Sequence, residues 1–387
     1  MKIVSWQVSL TEHQVHLLRA LGKALGKNLK VATICEELEE RRAQGWIKPD
    51  LSNLDVILLN SCNWPLVGIS LINQNPDSVH LFSGLWADKR LFLLLLYAVW
   101  KKRKVGLVTE PFGDTNDGYL ADQIKIKGWF LAVVRPFLYG VAGKLLGKRV
   151  APVFAISPKA CNQFNRAGFL ERNIYPFGYF VPIQQGGDRV SPIDHEGILR
   201  LIFVGALISR KGVDTIMRVA AFCYERNIPV MFDVYGPGNA DLLLPYSNIQ
   251  YHGIIPFGQA QKVIANYDAL IVPSVYDGWG VVVNEALQQG VPVLVSKHAG
   301  ASALVEKSGA GTLFDPERIT ELGKLIESLI KNRSIIDGWK RNAQAFSAVL
   351  APEIAAAYLL ECTEAYLHGA NKPLCQWYSI NERTRHY

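Results

Sequence analysis

A stretch in the last third of the chain combines glycines and two carboxylates in an order that suits nucleotide binding. It runs from Leu270 to Ser296 and is typical of a buried strand, a glycine-bearing loop, a short helix and a second buried strand. Asp277 precedes the loop Gly278-Trp279-Gly280, and Glu285 follows Asp277 with seven residues between them. A glycine loop that opens a helix offers backbone N–H groups and the positive end of the helix dipole, which suit a phosphate. A carboxylate farther along that helix can accept hydrogen bonds from a ribose diol. The stretch therefore predicts a nucleotide site.

An ordinary exposed helix start is the alternative, because the helix dipole favours an acid there. That alternative accounts for Asp277. It does not account for two loop glycines and Glu285 between two buried strands, so we favour nucleotide binding.

Two adjacent cations follow another strand of the same half. The strand Leu201–Val204 leads through Gly205 to Arg210 and Lys211, and a helix is predicted to begin just beyond them. Cations at a helix start face the positive end of its dipole, so a bound anion relieves the mismatch. Arginine can bind a phosphate bidentately, and lysine acts as a point charge. We predict diphosphate binding here, with a pair of solvated surface cations as the alternative.

Two further strand ends of the second half are weaker signals, because ordinary turns have the same composition. In Tyr235-Gly236-Pro237-Gly238, small residues let a ring or a sugar approach the backbone. In the second, the main chain of Gly253 and Ile254 could border a base.

The first half offers two candidates at strand ends. His13 follows the first predicted strand, and Glu110 ends the strand Val105–Thr109. Either side chain could face a ligand or serve only the scaffold, and Thr11 is a candidate helix cap. The sequence has no Asp-x-Asp pair and no ligand spacing among its His and Cys residues. We therefore predict no metal site, and no cofactor apart from the nucleotide itself.

Apolar runs alternate with helical stretches from end to end, which predicts an α/β fold of two doubly wound parallel sheets facing across a cleft. The boundaries that we predict are a Rossmann-like domain at 1–185, a linker at 186–197, a second Rossmann-like domain at 198–350, a helix at 351–370 that packs back toward the first domain, and a tail at 371–387. The predicted strands are 3–8, 29–34, 56–60, 79–83, 105–109 and 153–157 in the first half, and 201–204, 230–234, 249–252, 270–273, 291–295 and 312–314 in the second.

The 387-residue chain has a formal charge of +7 and a pI near 9.0, which favour an acidic partner. It lacks zinc-ligand spacing and an aromatic ribonucleoprotein strand, so we expect no nucleic-acid partner. Its six cysteines form no Cys-x-x-Cys pair, and its N-terminus lacks a signal-peptide pattern. Both observations favour a cytoplasmic protein.

Two apolar segments raise the question of a membrane. Leu91–Trp100 has ten residues, against the roughly 20 that a spanning helix needs. Trp129–Leu146 is interrupted by Arg135, Pro136 and Lys144. We interpret both as core helices. The alternative is that their basic flanks seat the protein peripherally on the anionic inner face of a membrane.

Residues 198–316 resemble the retaining, nucleotide-sugar-dependent glycosyltransferases of family four, which have the two-Rossmann GT-B fold. The resemblance rests on Phe-Val-Gly followed by Lys-Gly, on Tyr-Gly-Pro-Gly, on Pro-Ser-x-x-Asp-Gly-Trp-Gly with Asn-Glu-Ala, and on the segment from Ala299 to Pro316. It implies that the N-terminal domain binds the acceptor and the C-terminal domain the nucleotide sugar. It also implies that Glu285 holds the donor ribose, Asp277 contacts the transferred sugar and Lys211 binds phosphate.

The chain departs from the family pattern at several positions. Asp277 stands where the family has glutamate, which shortens the reach of the carboxylate. Ala206 stands where the family has a phosphate-binding arginine, and Arg210 is the candidate substitute. The Gly-Gly after the first strand is absent, and the usual histidine of the N-terminal half has no clear match. Glu110 lies nearest to its place.

The resemblance leads us to expect a retaining, metal-independent glycosyltransferase. It would move a sugar, with UDP ahead of GDP as the leaving group, to a hydroxyl of an acceptor such as a lipid-linked or surface-polysaccharide glycan. The alternatives are a catalytically silent sugar-nucleotide-binding subunit and a sugar-nucleotide epimerase on the same fold. The expected catalytic residues are His13, Glu110, Arg210, Lys211, Asp277 and Glu285. The expected donor-binding residues are Gly205, Arg210, Lys211, Tyr235, Gly236, Gly253, Ile254, Gly278, Trp279, Gly280, Val281, Val282 and Glu285.

Overall fold

The computed structural model describes residues 1–35, 49–60, 62–113, 125–184, 197–243, 246–256 and 258–378. The chain divides into two compact units. The N-terminal unit comprises Met1–Phe112, Val134–Pro182 and Ala351–Tyr387, and the C-terminal unit comprises Gly113–Val133 and Ile183–Leu350. The predicted linker at 186–197 lies outside the described residues except for Gly197.

The N-terminal unit contains one parallel sheet covered by helices. Its strands are β1 (Ile3–Ser9), β2 (Leu29–Cys35), β3 (Val56–Leu58), β4 (Val79–Ser83), β5 (Lys104–Thr109), β6 (Val150–Ile156) and β7 (Ile174–Phe177), in the order β3-β2-β1-β4-β5-β6-β7. The helices are α1 (Glu12–Leu25), α2 (Trp64–Gln74), α3 (Lys89–Trp100), α4 (Lys125–Leu146) and α5 (Pro158–Arg166), of which α4 belongs to this unit from Val134 onward. The strands read as apolar runs because helices cover a parallel sheet on both faces.

Local signals explain where the helices of this unit begin. Thr11 and Gln14 form a capping box, in which the Thr11 backbone N–H donates to Gln14 Oε1 at 3.1 Å. Ser157 precedes α5, and its hydroxyl accepts from the backbone N–H of Ala160 at 3.3 Å. These caps satisfy N–H groups that the first turn of a helix leaves without partners.

The C-terminal unit contains a second parallel sheet. Its strands are β8 (Leu199–Val204), β9 (Val230–Tyr235), β10 (Ile249–Tyr251), β11 (Ala269–Val272), β12 (Val293–Ser296) and β13 (Gly311–Phe314), in the order β10-β9-β8-β11-β12-β13. The helices are α6 (Val213–Glu225), α7 (Ala260–Ile264), α8 (Val281–Gln288), α9 (Ser302–Ser308), α10 (Ile319–Lys331) and α11 (Ser334–Phe346). Each unit therefore has an α/β fold with a doubly wound parallel sheet, as the alternation of apolar runs predicts.

The end of the chain returns to the N-terminal unit. Helix α12 (Pro352–His368) packs against α1, and Lys23 Nζ lies 3.0 Å from Glu353 Oε1. We predicted a tail from residue 371. Leu374 is exposed there, but Trp377 and Tyr378 pack on the sheet, with Trp377 fully buried. The Tyr378 hydroxyl accepts from the Phe177 N–H at 3.0 Å and donates to the carbonyl of Ala155 at 3.2 Å. The aromatic pair thus ties the end of the chain to β6 and β7.

Candidate functional site

The loops after β8 and β11 meet because these strands are neighbours in the sheet. The carboxyl ends of parallel strands share one edge, where ligands of open α/β sheets bind. The backbone N–H of Val275 donates to the carbonyl of Arg210 at 3.0 Å, and Arg210 Nη1 lies 3.4 Å from the carbonyl of Tyr276. The two stretches that the sequence singles out are thus joined into one site.

An ion pair links a cation of the first loop to the acid of the second. Lys211 Nζ lies 2.6 Å from Asp277 Oδ2, and both side chains are partly buried. The other carboxylate oxygen, Oδ1, lies 3.4 Å from the backbone N–H of Trp279. The short side chain of Asp277 is therefore held against its own loop and against Lys211.

Gly280 shapes the start of α8. Its φ of +96° lies in the left-handed region that glycine adopts most readily, and a Cβ here would lie 3.4 Å from Asp277 Oδ2. The next residue, Val281, begins the helix, so its first N–H groups open directly beside the glycine loop. This is the local geometry that the sequence predicts for a phosphate site.

Glu285 lies on α8 and has a partly buried side chain. Within the described residues it makes no side-chain hydrogen bond or ion pair, although the side chain is partly buried. Burial alone raises the pKa of this carboxyl from its ordinary 4.5 to about 7. A half-buried carboxylate without donors is costly unless a ligand supplies them.

Trp279 holds the glycine loop in place through contacts of its ring and its backbone. The indole is buried, and Nε1 donates to Asn284 Oδ1 at 2.9 Å. The Trp279 carbonyl accepts from the N–H of Ala301 at 2.8 Å, and the Asp277 carbonyl accepts from the N–H of Gly300 at 3.0 Å. The glycine loop is thus fixed from two sides. Asn284, which is buried in α8, is named in the sequence only as part of the Asn-Glu-Ala motif, and its contact with Trp279 carries no local signal.

The ends of β9 and β10 continue this edge on the other side of β8. The N–H of Gly205 donates to the carbonyl of Tyr235, and the N–H of Gly236 donates to the carbonyl of Gly253, each at 2.9 Å. The Tyr235 hydroxyl lies 2.9 Å from that of Tyr267, which restricts its availability to a ligand. Next to Gly253, Ile254 is well exposed.

A cluster of charged and polar side chains around a buried carboxylate stabilises this part of the sheet, and no local signal in the sequence predicts it. Asp233 is fully buried in β9, and its carboxylate binds Arg200 Nη2 at 2.7 Å and His252 Nε2 at 2.5 Å. The His252 ring stacks on Tyr235 with centroids 4.7 Å apart. The cluster fixes the segment that presents the backbone of Gly253.

In the N-terminal unit, His13 and Glu110 belong to one cluster with a third side chain. The Tyr179 hydroxyl donates to Glu110 Oε1 at 2.5 Å, and the Tyr179 ring lies 6.4 Å from that of His13, centroid to centroid. His13, Glu110 and Tyr179 follow β1, β5 and β7, respectively. The carboxyl ends of these parallel strands share one edge of the sheet. Tyr179 carried no sequence signal, because it follows a strand that the apolar pattern did not predict.

Comparison with solved structures identifies the fold. The chain has the GT-B fold of glycosyltransferases. HepE of Anabaena, solved in complex with UDP, superposes with a TM-score of 0.70 at 16% identity, covering 95% of this chain and 100% of HepE. WaaG, a glycosyltransferase involved in lipopolysaccharide biosynthesis, gives a TM-score of 0.58 at 16% identity over 92% of this chain and 98% of WaaG.

Sequence comparison gives partial matches to known glycosyltransferases. Residues 191–346 match the family described as Glycosyl transferases group 1. The alpha-D-kanosaminyltransferase of Streptomyces kanamyceticus is 24% identical over 182 residues, which are 44% of this chain and 44% of that protein. The chain thus spans less than half the length of the curated relatives that it matches. The chain therefore has the GT-B fold, and residues 191–346 are similar to Glycosyl transferases group 1.

Proposed function

We propose that the protein transfers a sugar from a nucleoside diphosphate sugar to a hydroxyl group of an acceptor, with retention of the anomeric configuration. The observation that carries the proposal is the carboxylate of Glu285, which is partly buried, has a pKa near 7 and has no partner among the described residues. The two hydroxyls of a ribose would supply the missing donors. The diphosphate would then meet the start of α8 and the cations of the neighbouring loop, which lie at the same edge of the sheet.

The ion pair of Lys211 and Asp277 supports a specific order of contacts. Before donor binding, each charge compensates the other at 2.6 Å. The phosphates of the donor bring negative charge to Lys211 and Arg210, and Asp277 then turns to hydroxyls of the transferred sugar. The same cations and the dipole of α8 stabilise the diphosphate as it leaves. In this way the side chains perform the role that a divalent metal has in other transferases.

Retention follows from a front-face reaction. The bond between the anomeric carbon and the diphosphate oxygen breaks, and the acceptor oxygen bonds to the same face of the sugar. The departing phosphate oxygen takes the acceptor proton. In the donor complex we assign Asp277 to hydroxyls of the transferred sugar, with Oδ1 beside the Trp279 N–H, so this scheme uses no nucleophile on the opposite face.

We assign the acceptor to the N-terminal unit, at the cluster of His13, Glu110 and Tyr179. A carboxylate and an imidazole at one strand-end edge suit the hydroxyls of a glycan. The acceptor that we propose is a lipid-linked or surface-polysaccharide glycan, and the donor base is uracil ahead of guanine. The UDP and UDP-glucose complexes of HepE, which has the same fold, support that choice of base.

A thermal-shift screen of UDP, GDP, ADP and their sugar conjugates tests the donor assignment, because a ligand that binds the folded state raises the melting temperature. We expect the largest rise with UDP or a UDP-sugar. Release of free nucleoside diphosphate that depends on an acceptor, in the presence of a chelator, tests transfer without a metal. The anomeric coupling constant of the product tests retention. Binding without turnover across a broad acceptor panel would instead indicate a sugar-nucleotide-binding subunit.

A further inference from the structure

The positive charge of the chain is concentrated in two segments. Residues 89–109 and 125–170 hold 14 of its 41 Lys and Arg residues and none of its 34 Asp and Glu residues. The rest of the chain is therefore net acidic, although the whole carries a formal charge of +7. A surface rich in one sign of charge attracts a partner of the opposite sign.

Helix α4 is fixed to the N-terminal unit by its inner face. Tyr139, Ala142 and Leu146 lie in the core, and the Tyr139 ring stacks on Phe112 with centroids 4.1 Å apart. A Cβ at Gly143 would lie 1.8 Å from the carbonyl oxygen of Ala167, so the helix backbone touches the turn after α5. The opposite face of α4 therefore points away from the core of this unit.

That outer face is apolar and exposed. Phe137, Val141 and Leu145 recur at every fourth position and are 70%, 41% and 71% exposed. Lys144 and Lys148 lie beside them and are exposed as well. A row of large apolar side chains flanked by cations is the pattern of a helix that lies in a membrane interface.

The end of α3 extends this surface. Trp100 is 69% exposed, and Lys101 Nζ lies 4.7 Å from the centre of its ring. Strands β5 and β6 pair with Val105 opposite Val150, so the ends of α3 and α4, which lead into them, lie at the same edge of the sheet. Tryptophan beside lysine is enriched where the headgroups meet the acyl chains. We call the combined set the cationic-apolar surface, defined by Trp100, Lys101, Lys102, Phe137, Val141, Lys144, Leu145 and Lys148.

The position of α4 in the fold favours lying on a membrane over spanning it. Among the described helices, none is by itself long and apolar enough to cross a bilayer, and one bent pair, Ser334–Leu350 with Pro352–His368, qualifies by length and composition only. In α4 the inner face is already packed in the protein core, which leaves only the outer face for lipid.

We propose that the cationic-apolar surface docks on a membrane that contains anionic lipids, with Phe137, Leu145 and Trp100 at the level of the headgroups. Charge complementarity selects this partner, because phosphate headgroups pair with the four lysines of this surface and none of its eight defining residues is acidic. A second copy of the chain is the less favoured occupant, since a symmetric dimer would set the same cations against each other. The inference goes beyond the proposed transfer reaction and depends on neither nucleotide nor acceptor.

Co-sedimentation of the full chain with vesicles tests the inference. We expect binding to phosphatidylcholine vesicles that contain phosphatidylglycerol, little binding to phosphatidylcholine alone, and loss of binding in high salt. The variant Lys144→Glu/Lys148→Glu should weaken binding by at least about 20-fold, since each cation near an anionic surface contributes roughly a fivefold gain. The variant Phe137→Ser/Leu145→Ser should also weaken it, and its residual binding should be fully salt-sensitive.

Matched controls separate this surface from general charge and general hydrophobicity. Lys307→Glu/Lys324→Glu changes the net charge equally at exposed positions of the C-terminal unit, and Leu374→Ser removes an apolar side chain that is 92% exposed. Both controls should bind vesicles as the parent does. Equal loss in the controls, binding that is independent of anionic lipid, or concentration-dependent dimerisation that Phe137→Ser/Leu145→Ser abolishes would each overturn the proposal. Circular dichroism checks that every variant is folded.

Discussion

Replacing Glu285 with glutamine is expected to stabilise the folded protein and at the same time weaken nucleotide binding. The carboxyl has an ordinary pKa of 4.5, and burial raises it to about 7 in the folded state. Between these two pH values the folded state binds more protons than the unfolded state, so its stability falls as pH rises through this range. Above pH 7 the ionised carboxylate is a full cost to the fold, and below its ordinary pKa the cost disappears.

The magnitude follows from the two pKa values. Each pKa unit corresponds to about 1.4 kcal/mol, which gives an upper bound of about 3 kcal/mol for the cost of ionising Glu285. Part of the side chain reaches solvent, so we expect Glu285→Gln to raise the free energy of unfolding by about 1–2 kcal/mol near pH 8. The gain should vanish near pH 4, where the parent carboxyl is protonated in both states.

Nucleotide binding should change in the opposite direction. Ribose hydroxyls donate to the ionised carboxylate, and hydrogen bonds to charged groups contribute about 1.5–3 kcal/mol against about 1 kcal/mol for neutral pairs. Glu285→Gln should therefore raise the Kd for UDP about tenfold near pH 8. The parent should lose a similar factor as the pH falls from about 8 to about 5.5, because the carboxyl must give up its proton to bind. The variant should show no such dependence.

Urea unfolding and calorimetric titration with UDP, each at several pH values, measure the two effects. Glu321→Gln is the matched control, because its side chain is 67% exposed and pairs only at the surface with Arg318. That control should change neither quantity appreciably. If Glu285→Gln lowers stability at high pH and leaves the Kd for UDP unchanged, the carboxylate is structural and the donor site is misassigned.

Three further outcomes are expected. Replacing Arg210 and Lys211 together with alanine should weaken UDP binding at least about 100-fold, because two charge-assisted contacts to phosphate are lost; calorimetry measures it. Tyr179→Phe removes the hydrogen bond to Glu110 and should lower acceptor-dependent turnover with UDP affinity intact, as initial rates and calorimetry will distinguish. Trp377→Ala should lower the free energy of unfolding by about 3–5 kcal/mol, and unchanged urea unfolding would contradict its packing role.

The sequence predicts most of the strands because buried parallel strands are apolar on both faces. It did not predict β7, whose four residues Ile174–Phe177 include Pro176 and follow a polar turn. An edge strand tolerates a proline because one of its sides makes no ladder hydrogen bonds. The burial of Trp377 and Tyr378 was not predicted for a related reason, since this aromatic pair stands alone between polar residues. Their burial depends on β6 and β7, which lie far away in sequence.

The candidate donor site was accessible to sequence analysis because its glycines and acids lie in one short stretch. Contacts between segments that are distant in the chain could not be predicted from the sequence. The pair of Tyr179 and Glu110 joins residues 69 positions apart, and the pair of Arg200 and Asp233 joins two strands. Nothing in local composition indicates such pairs, because the order of strands in the sheet decides which loops meet.

The pairing of Lys211 with Asp277 offers a physical account of the alanine at position 206. A cation at this edge needs a counter-charge whenever no nucleotide is bound. Asp277 compensates Lys211 at 2.6 Å, and Arg210 reaches the carbonyl of Tyr276 at 3.4 Å. The other oxygen of Asp277, Oδ1, lies 3.4 Å from the Trp279 N–H. An arginine at position 206 would have to share this one carboxylate with Lys211, whereas Ala206 adds no charge. The two departures from the family pattern, Asp277 and Ala206, are therefore consistent with each other.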